Sequence, residues 1–166
     1  MVVIGIDNGV TGTIGVITPT ETILIQTPVK TQQDYTKAKK NITRVRFKDV
    51  VKFLGQLVVK YQDERFMVLI ERPMKNPGRF TASISAVRAM EALVNAVEFH
   101  NLPLDHIDSK EWQKALLPQG VKGDDLKVAS KDIGCRLFPQ HTELICKHKD
   151  ADGILIAEYC RRKFGL

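Results

Sequence analysis

The sequence predicts an α/β domain, on three observations. Short β-branched runs of strand length crowd the N-terminal part; longer segments with apolar residues at helical spacing fill the rest; and further short apolar runs are interleaved with them.

In order along the chain, the first two elements come from VVIGIDNGVTGTIGVI at residues 2–17. Val2, Val3, Ile4 and Ile6 form a buried-strand run that delivers Asp7, and Ile14, Val16 and Ile17 read as its hairpin partner. Gly5, Gly9, Gly12 and Gly15 allow tight turning or close approach by another group. Residues 21–27 supply a third strand after Pro19, with Ile23 and Ile25 on one face and Leu24 on the other. Between Lys30 and Lys52, eight Lys or Arg residues are opposed only by Asp34 and Asp49, with Tyr35 and Phe47 bracketing most of the cluster. Two readings stand here: a phosphate-contacting loop or arm using Lys37, Lys39, Lys40, Arg44, Arg46 and Lys48, or a solvated link ahead of an amphipathic helix.

Val50, Phe53, Leu54, Leu57, Val58 and Tyr61 recur at helical spacing and predict a helix over 50–61 that covers the sheet. FMVLI at 66–70 is a strand ending in Glu71, the second run to deliver one carboxylate out of apolar residues. Asn76, Pro77 and Gly78 mark a loop before the helical AVRAMEALVNAVEF at 86–99, which packs or dimerises. After Pro103, residues 104–107 make a short strand. Ser109 is then the expected cap of a helix carrying Trp112, Ala115 and Leu116, without a capping box because Glu111 follows it by only two positions. PQGVKGDD at 118–125 reads as a mobile loop, residues 126–138 as a helix limited by Pro139, and residues 151–162 as the last long helix, preceded by the charged KHKDAD.

At 166 residues the chain has room for one substantial core, so a single domain over 1–166 is expected. A composition of 43% hydrophobic and 27% charged residues argues against disorder. No stretch approaches the roughly 20 apolar residues of a membrane span. The first residues lack the basic and apolar regions of a signal peptide, which predicts cytoplasmic residence. Cys135, Cys146 and Cys160 are too irregularly spaced for a disulfide framework or a metal knuckle. Twenty-five basic against nineteen acidic side chains leave +6 and favour a polyanionic partner, nucleic acid foremost.

Three carboxylates share a physical logic: Asp7 after the first strand, Glu71 ending another, and Asp152 opening the final apolar helix. Singly, each has a structural explanation: Asp7 as a turn cap, Glu71 as a salt-bridge partner, and Asp152 at the positive end of its helix. Together they predict convergence into a site of hard oxygen ligands suited to Mg²⁺ or Mn²⁺, the equipment of metal-assisted phosphodiester hydrolysis. The glycines after Asp7 form neither a P-loop nor an uninterrupted GxGxxG. GIDNGVTGTIG is similar to the first phosphate loop of actin-like ATPases and sugar kinases, a class that needs two lobes and a second phosphate motif for which this chain leaves little room.

IGIDNGVTG at 4–12, LIERPM at 69–74, GRFTASISAVRAMEAL at 78–93 and KHKDADGILIAEYCRR at 147–162 carry a further likeness over nearly the whole chain. The sequence resembles the RuvC-type Holliday-junction resolvases of the RNase H-like superfamily, especially their phage forms. That resemblance implies a mixed central sheet flanked by helices, a homodimer, Mg²⁺-dependent endonuclease action and four-way DNA junctions as substrate. It aligns Asp7, Glu71 and Asp152 with three family acids. It places a fourth acid or a histidine where this chain has Lys149, leaving Asp150, His148 or neither to complete the site. On one regular helix Asp150 and Asp152 would point about 200° apart, so Asp150 contributes only if the helix begins after it or the backbone bends. The resemblance also implies a lysine near the scissile phosphate, with Lys122 the leading candidate and Lys127 the alternative. Phe80 inserts near the open junction centre, stacks on a base, or packs against the adjacent helix. Trp112, His100, His106 and His141 are expected to be structural or surface residues. The competing functions are another RNase H-like nuclease acting on branched DNA or an RNA–DNA hybrid, and a junction binder that does not cleave.

Overall fold

The computed structural model describes residues 1–74, 77–148 and 150–165. Its strands are β1 (Val2–Ile6), β2 (Thr13–Ile17), β3 (Thr22–Gln26), β4 (Val29–Gln33), β5 (Asn41–Val45), β6 (Phe66–Glu71) and β7 (Leu104–Ile107). Five of them form one sheet in the order β3-β2-β1-β6-β7. The β1–β2 and β2–β3 pairs are antiparallel, whereas β1–β6 and β6–β7 are parallel, so the sheet is mixed. The helices are α1 (Phe47–Lys60), α2 (Phe80–Phe99), α3 (Ser109–Leu116), α4 (Asp125–Leu137), α5 (Thr142–His148) and α6 (Asp152–Lys163).

Side-chain alternation along β1 and β6 assigns the helices to two layers. Val2, Ile4 and Ile6, with Val68 and Ile70, face α1 and α2 and pack on Leu54, Leu57, Leu93 and Val97. Val3 and Leu69 face the other way, against Trp112 of α3, Phe138 just beyond α4, Ile145 of α5, and Ile154 and Leu155 of α6. The sheet is thus buried on both faces, which explains why β1 reads as an unbroken apolar run.

The last helix lies unusually close to the sheet because glycines leave nothing between the two backbones. Gly5 and Gly15 sit opposite each other in the β1–β2 ladder. A Cβ at Gly5 would lie 2.2 Å from the Ala157 nitrogen, and one at Gly15 2.3 Å from Ile154 Cα. The close approach foreseen for these glycines is made by α6.

Several elements differ from expectation. The basic segment is neither a plain loop nor a link: β4 and β5 pair as a separate antiparallel hairpin, from Val29↔Val45 to Gln33↔Asn41. Its β-branched residues, Val29, Thr31, Ile42, Thr43 and Val45, suit strands, and Asp34 closes the turn by accepting hydrogen bonds from the Thr36 amide and hydroxyl. Helix α2 begins at Phe80, six residues before the expected helical segment, and a short helix, α5, occupies 142–148, for which no element was expected. Helix α3 is capped one residue earlier than expected: Asp108 is the cap, with Glu111 three positions on, so the capping box is present. Residues 118–124 are irregular, with Gly120 and Gly123 both at positive φ. All three cysteines are free. No helix among the described residues is long and apolar enough to cross a membrane.

Candidate metal centre

The strand parity that separates the two layers also aims the acids. Asp7 lies two residues beyond Gly5 and Glu71 two beyond Leu69, so both carboxylates project towards the layer containing α6. Parallel register pairs Ile6 with Ile70, which sets Asp7 and Glu71 side by side at the carboxyl ends of adjacent strands. Gly12 lets this loop close: a Cβ there would meet the Asp7 carbonyl at 2.2 Å and Asp7 Oδ2 at 3.0 Å.

Asp152 comes from the opposite layer. It opens α6, and the same glycine contacts that seat the helix bring its first turn down beside Asp7. The Gly153 amide donates to Thr13 Oγ1 at 3.0 Å, tying that turn to β2. Helix α5 ends at His148 and α6 begins at Asp152, so Asp150 lies in the break between them and satisfies the condition set for its participation. Lys149 lies outside the described residues. Asp7, Asp150 and Asp152 each offer a carboxylate oxygen, and these three atoms lie within 4.8 Å of one another. Neither Glu71 nor His148 belongs to that set, although the charge of Glu71 bears on Asp7 and Asp152.

Three supporting residues were not legible as such in the sequence. Trp112, fully buried, donates its indole N–H to Glu71 Oε2 at 2.7 Å. Ser130 donates to Asp152 Oδ1 and accepts from the Ala151 amide at 3.0 Å. Thr13 is the third. The usable signals were general ones: a buried indole requires an acceptor, and a serine on the apolar side of a helix requires partners. Gly134 places Ser130, because a Cβ there would lie 2.2 Å from Ala151 Cβ and would push α4 off the 150–152 bend.

The two candidate lysines differ in location. Lys127 lies in the first turn of α4, and its positive charge opposes the upward shifts of Asp7, Asp150 and Asp152. Lys122 is exposed in the preceding loop. Lys37, Lys39 and Lys40 are exposed at the hairpin turn, while Arg46 and Lys48 flank the start of α1. The Arg44 guanidinium stands 5.0 Å from the Tyr35 ring centroid. Phe80 is 70% exposed rather than packed away.

Burial, and then the mutual repulsion of the cluster, governs its protonation. Asp7 is held well above the ordinary carboxyl range by burial and then by Asp152, Glu71 and Asp150. Asp152 is pushed up to about 7 by burial and Asp150, against the Ser130 hydrogen bond. Burial also raises Glu71 and Asp150, opposed by the Trp112 hydrogen bond in the first case and the Asp152 amide in the second. No ion pair joins any of the four to a basic side chain among the described residues. Asp150 Oδ1 is buried without a hydrogen-bond partner. Converging, desolvated oxygen donors with one orphaned atom fit a hard divalent cation, which would offset both burial and repulsion.

No family model matches the chain, and no curated protein matches it. Solved structures do. Thermus thermophilus RuvC in complex with a Holliday junction substrate aligns with a TM-score of 0.58 at 16% identity, over 99% of this chain and 97% of that one. Thermus thermophilus RuvC alone gives 0.56 at 15% identity over the same shares. The fold is therefore the RNase H-like mixed sheet flanked by helices that RuvC also has.

Proposed function

We propose that this chain is a divalent-metal-dependent endonuclease that resolves four-way DNA junctions by paired phosphodiester hydrolysis. The observation that carries the reading is the convergence of Asp7, Asp150 and Asp152 within 4.8 Å, beside Glu71, on a fold shared over 99% of the chain with a RuvC bound to a Holliday junction.

In this reading Asp7, Asp150 and Asp152 hold Mg²⁺, or Mn²⁺ in its place, and Glu71 completes the acidic face. Bound there, the cation would supply Lewis-acid polarisation of a phosphate oxygen and an activated water. The protein's own contribution is orientation. Trp112 fixes the Glu71 carboxylate, Ser130 fixes that of Asp152, and the Gly5, Gly15 and Gly153 contacts hold two layers of the domain at the separation that the cluster needs. Lys127 is the better placed of the two lysines to meet a phosphate, because its charge already reaches the acids. Backbone contacts to the junction arms fall to Lys37, Lys39, Lys40, Arg44, Arg46 and Lys48, and Phe80 is free to reach an open junction centre.

Paired cutting of opposed strands calls for two centres, hence a homodimer. Helix α2 spends Ala89, Met90, Leu93, Ala96 and Val97 on its own core and keeps Val87 and Phe99 exposed for a partner.

The deciding experiment compares a four-way junction, a matched linear duplex and an RNA–DNA hybrid. Binding is measured without a catalytic cation, and products are then mapped on every strand after Mg²⁺ is added. Tighter junction binding and symmetric paired nicks, abolished by Glu71→Gln, are expected. Selective hybrid cleavage would move the assignment to a ribonuclease H, and junction binding without scission would leave a structural binder.

A further inference from the structure

Away from the acids, the hairpin β4–β5 and the N-terminal half of α2 enclose a groove of about 770 Å³, within the roughly 300–1,000 Å³ of ligand clefts. Its two walls each present one large exposed aromatic: Tyr35, 80% exposed at the hairpin turn, and Phe80, 70% exposed at the start of α2. Among the described residues, three cations, Lys30, Arg44 and Arg88, also line it, against the single carboxylate of Asp34, which is already engaged by Thr36. Arg44 Nε is buried without a hydrogen-bond partner, and its guanidinium forms one surface with the Tyr35 ring at 5.0 Å.

We infer that this groove is a second, non-catalytic site that takes an unstacked nucleotide of single-stranded DNA, its base against Tyr35 and Phe80 and its phosphates on Lys30, Arg44 and Arg88. Aromatic faces with interleaved cations suit an unpaired strand, because bases present π-faces only when they are not stacked in a duplex. A second copy of this chain fits poorly, since a twofold contact through the groove would set its three cations against themselves. The groove is also mechanically joined to the acidic cluster. Val10, three residues after Asp7, forms part of its lining, and Asn8 donates to the Ala86 carbonyl on α2 at 3.3 Å. The inference rests on the junction-nuclease reading only in taking DNA as the polymer: a strand opened at a branch point would enter here while the scissile phosphate lies at the acids.

The test uses the full chain in a metal chelator and a fluorescein-labelled oligothymidylate of about eight residues, followed by anisotropy. Wild type and Asp7→Asn should bind it alike. Tyr35→Ala should weaken it by at least about fivefold, the low end for loss of one stacking platform. Arg88→Gln should weaken it and lower the salt slope by about one. Binding of Tyr35→Ala to a linear duplex should change by less than about twofold. No oligothymidylate binding by wild type, unchanged affinity in both variants, or equal losses on duplex would overturn the inference. So would sedimentation in which these substitutions dissociate a dimer, since the occupant would then be a second copy. Junction cleavage on the same proteins separates the two readings. Cleavage with unchanged oligothymidylate affinity in the variants would overturn the groove and leave the nuclease; the expected binding pattern without any cleavage would support the groove and sink the nuclease.

Discussion

Replacing Asp152 with Asn should stabilise the metal-free protein at neutral pH while removing cleavage. The Asp152 carboxyl is raised from 3.8 to about 7, chiefly by burial and then by Asp150, so the folded state holds a proton that the unfolded state has released. Between those two values stability falls as pH rises, at about 1.4 kcal/mol per pH unit, which amounts to about 4 kcal/mol once pH exceeds both. Asn keeps the size of Asp and an oxygen to accept from Ser130, so the burial cost is relieved without losing that hydrogen bond. What is lost is the favourable charge at the α6 N-terminus, worth about 0.3–1 kcal/mol. A net gain of about 3 kcal/mol is therefore expected at pH 8, shrinking towards zero or reversing near pH 4. The assay is urea unfolding in a chelator at both pH values, with metal-dependent junction cleavage measured separately. Equal stability of the two proteins at pH 8, or a difference that does not change with pH, would refute the account of the cluster as a set of repelling, desolvated acids.

Metal should compete with protons at the same site. Because Asp7 and Asp152 are both raised, apparent Mg²⁺ affinity should increase as pH rises through about 7, read as the Mg²⁺-induced increase in thermal midpoint at pH 6 and pH 8; identical shifts at both would count against a carboxylate site. Trp112→Phe removes the indole donor from Glu71, and a lost bond to a charged acceptor, about 1.5–3 kcal/mol, should slow junction cleavage about 10- to 100-fold. Single-turnover rates equal to wild type would show that Glu71 does not depend on it. Gly5→Ala puts a methyl group 2.2 Å from the Ala157 nitrogen and should cost about 3 kcal/mol or more in unfolding experiments, with loss of Mg²⁺ stabilisation; a variant of near wild-type stability would contradict the backbone contact. Lys127→Ala should depress cleavage more than Lys122→Ala, and the reverse order in a side-by-side rate measurement would restore the loop lysine as the candidate.

Local sequence determined the pieces. The apolar run of β1, the FMVLI of β6 and the helical spacing of α2, α4 and α6 each depend on contacts or periodicities within a few residues, and the α/β architecture follows from their order. The acids were legible for the same reason: a carboxylate at the end of an apolar element stands out wherever that element later packs. Asp150 shows where this stops, since only the break between α5 and α6 frees it from the helix face that would turn it away from Asp152. Tertiary structure alone decided that Gly5, Gly15 and Gly153 form one seat for α6, that the Trp112 indole ends on Glu71, and that the basic segment folds as a hairpin facing α2. These depend on residues as many as 152 positions apart, Gly5 and Ala157, meeting at backbone distance. A glycine in a strand carries no mark of which distant backbone will lie against it, because what it contributes is the space that a side chain would have filled.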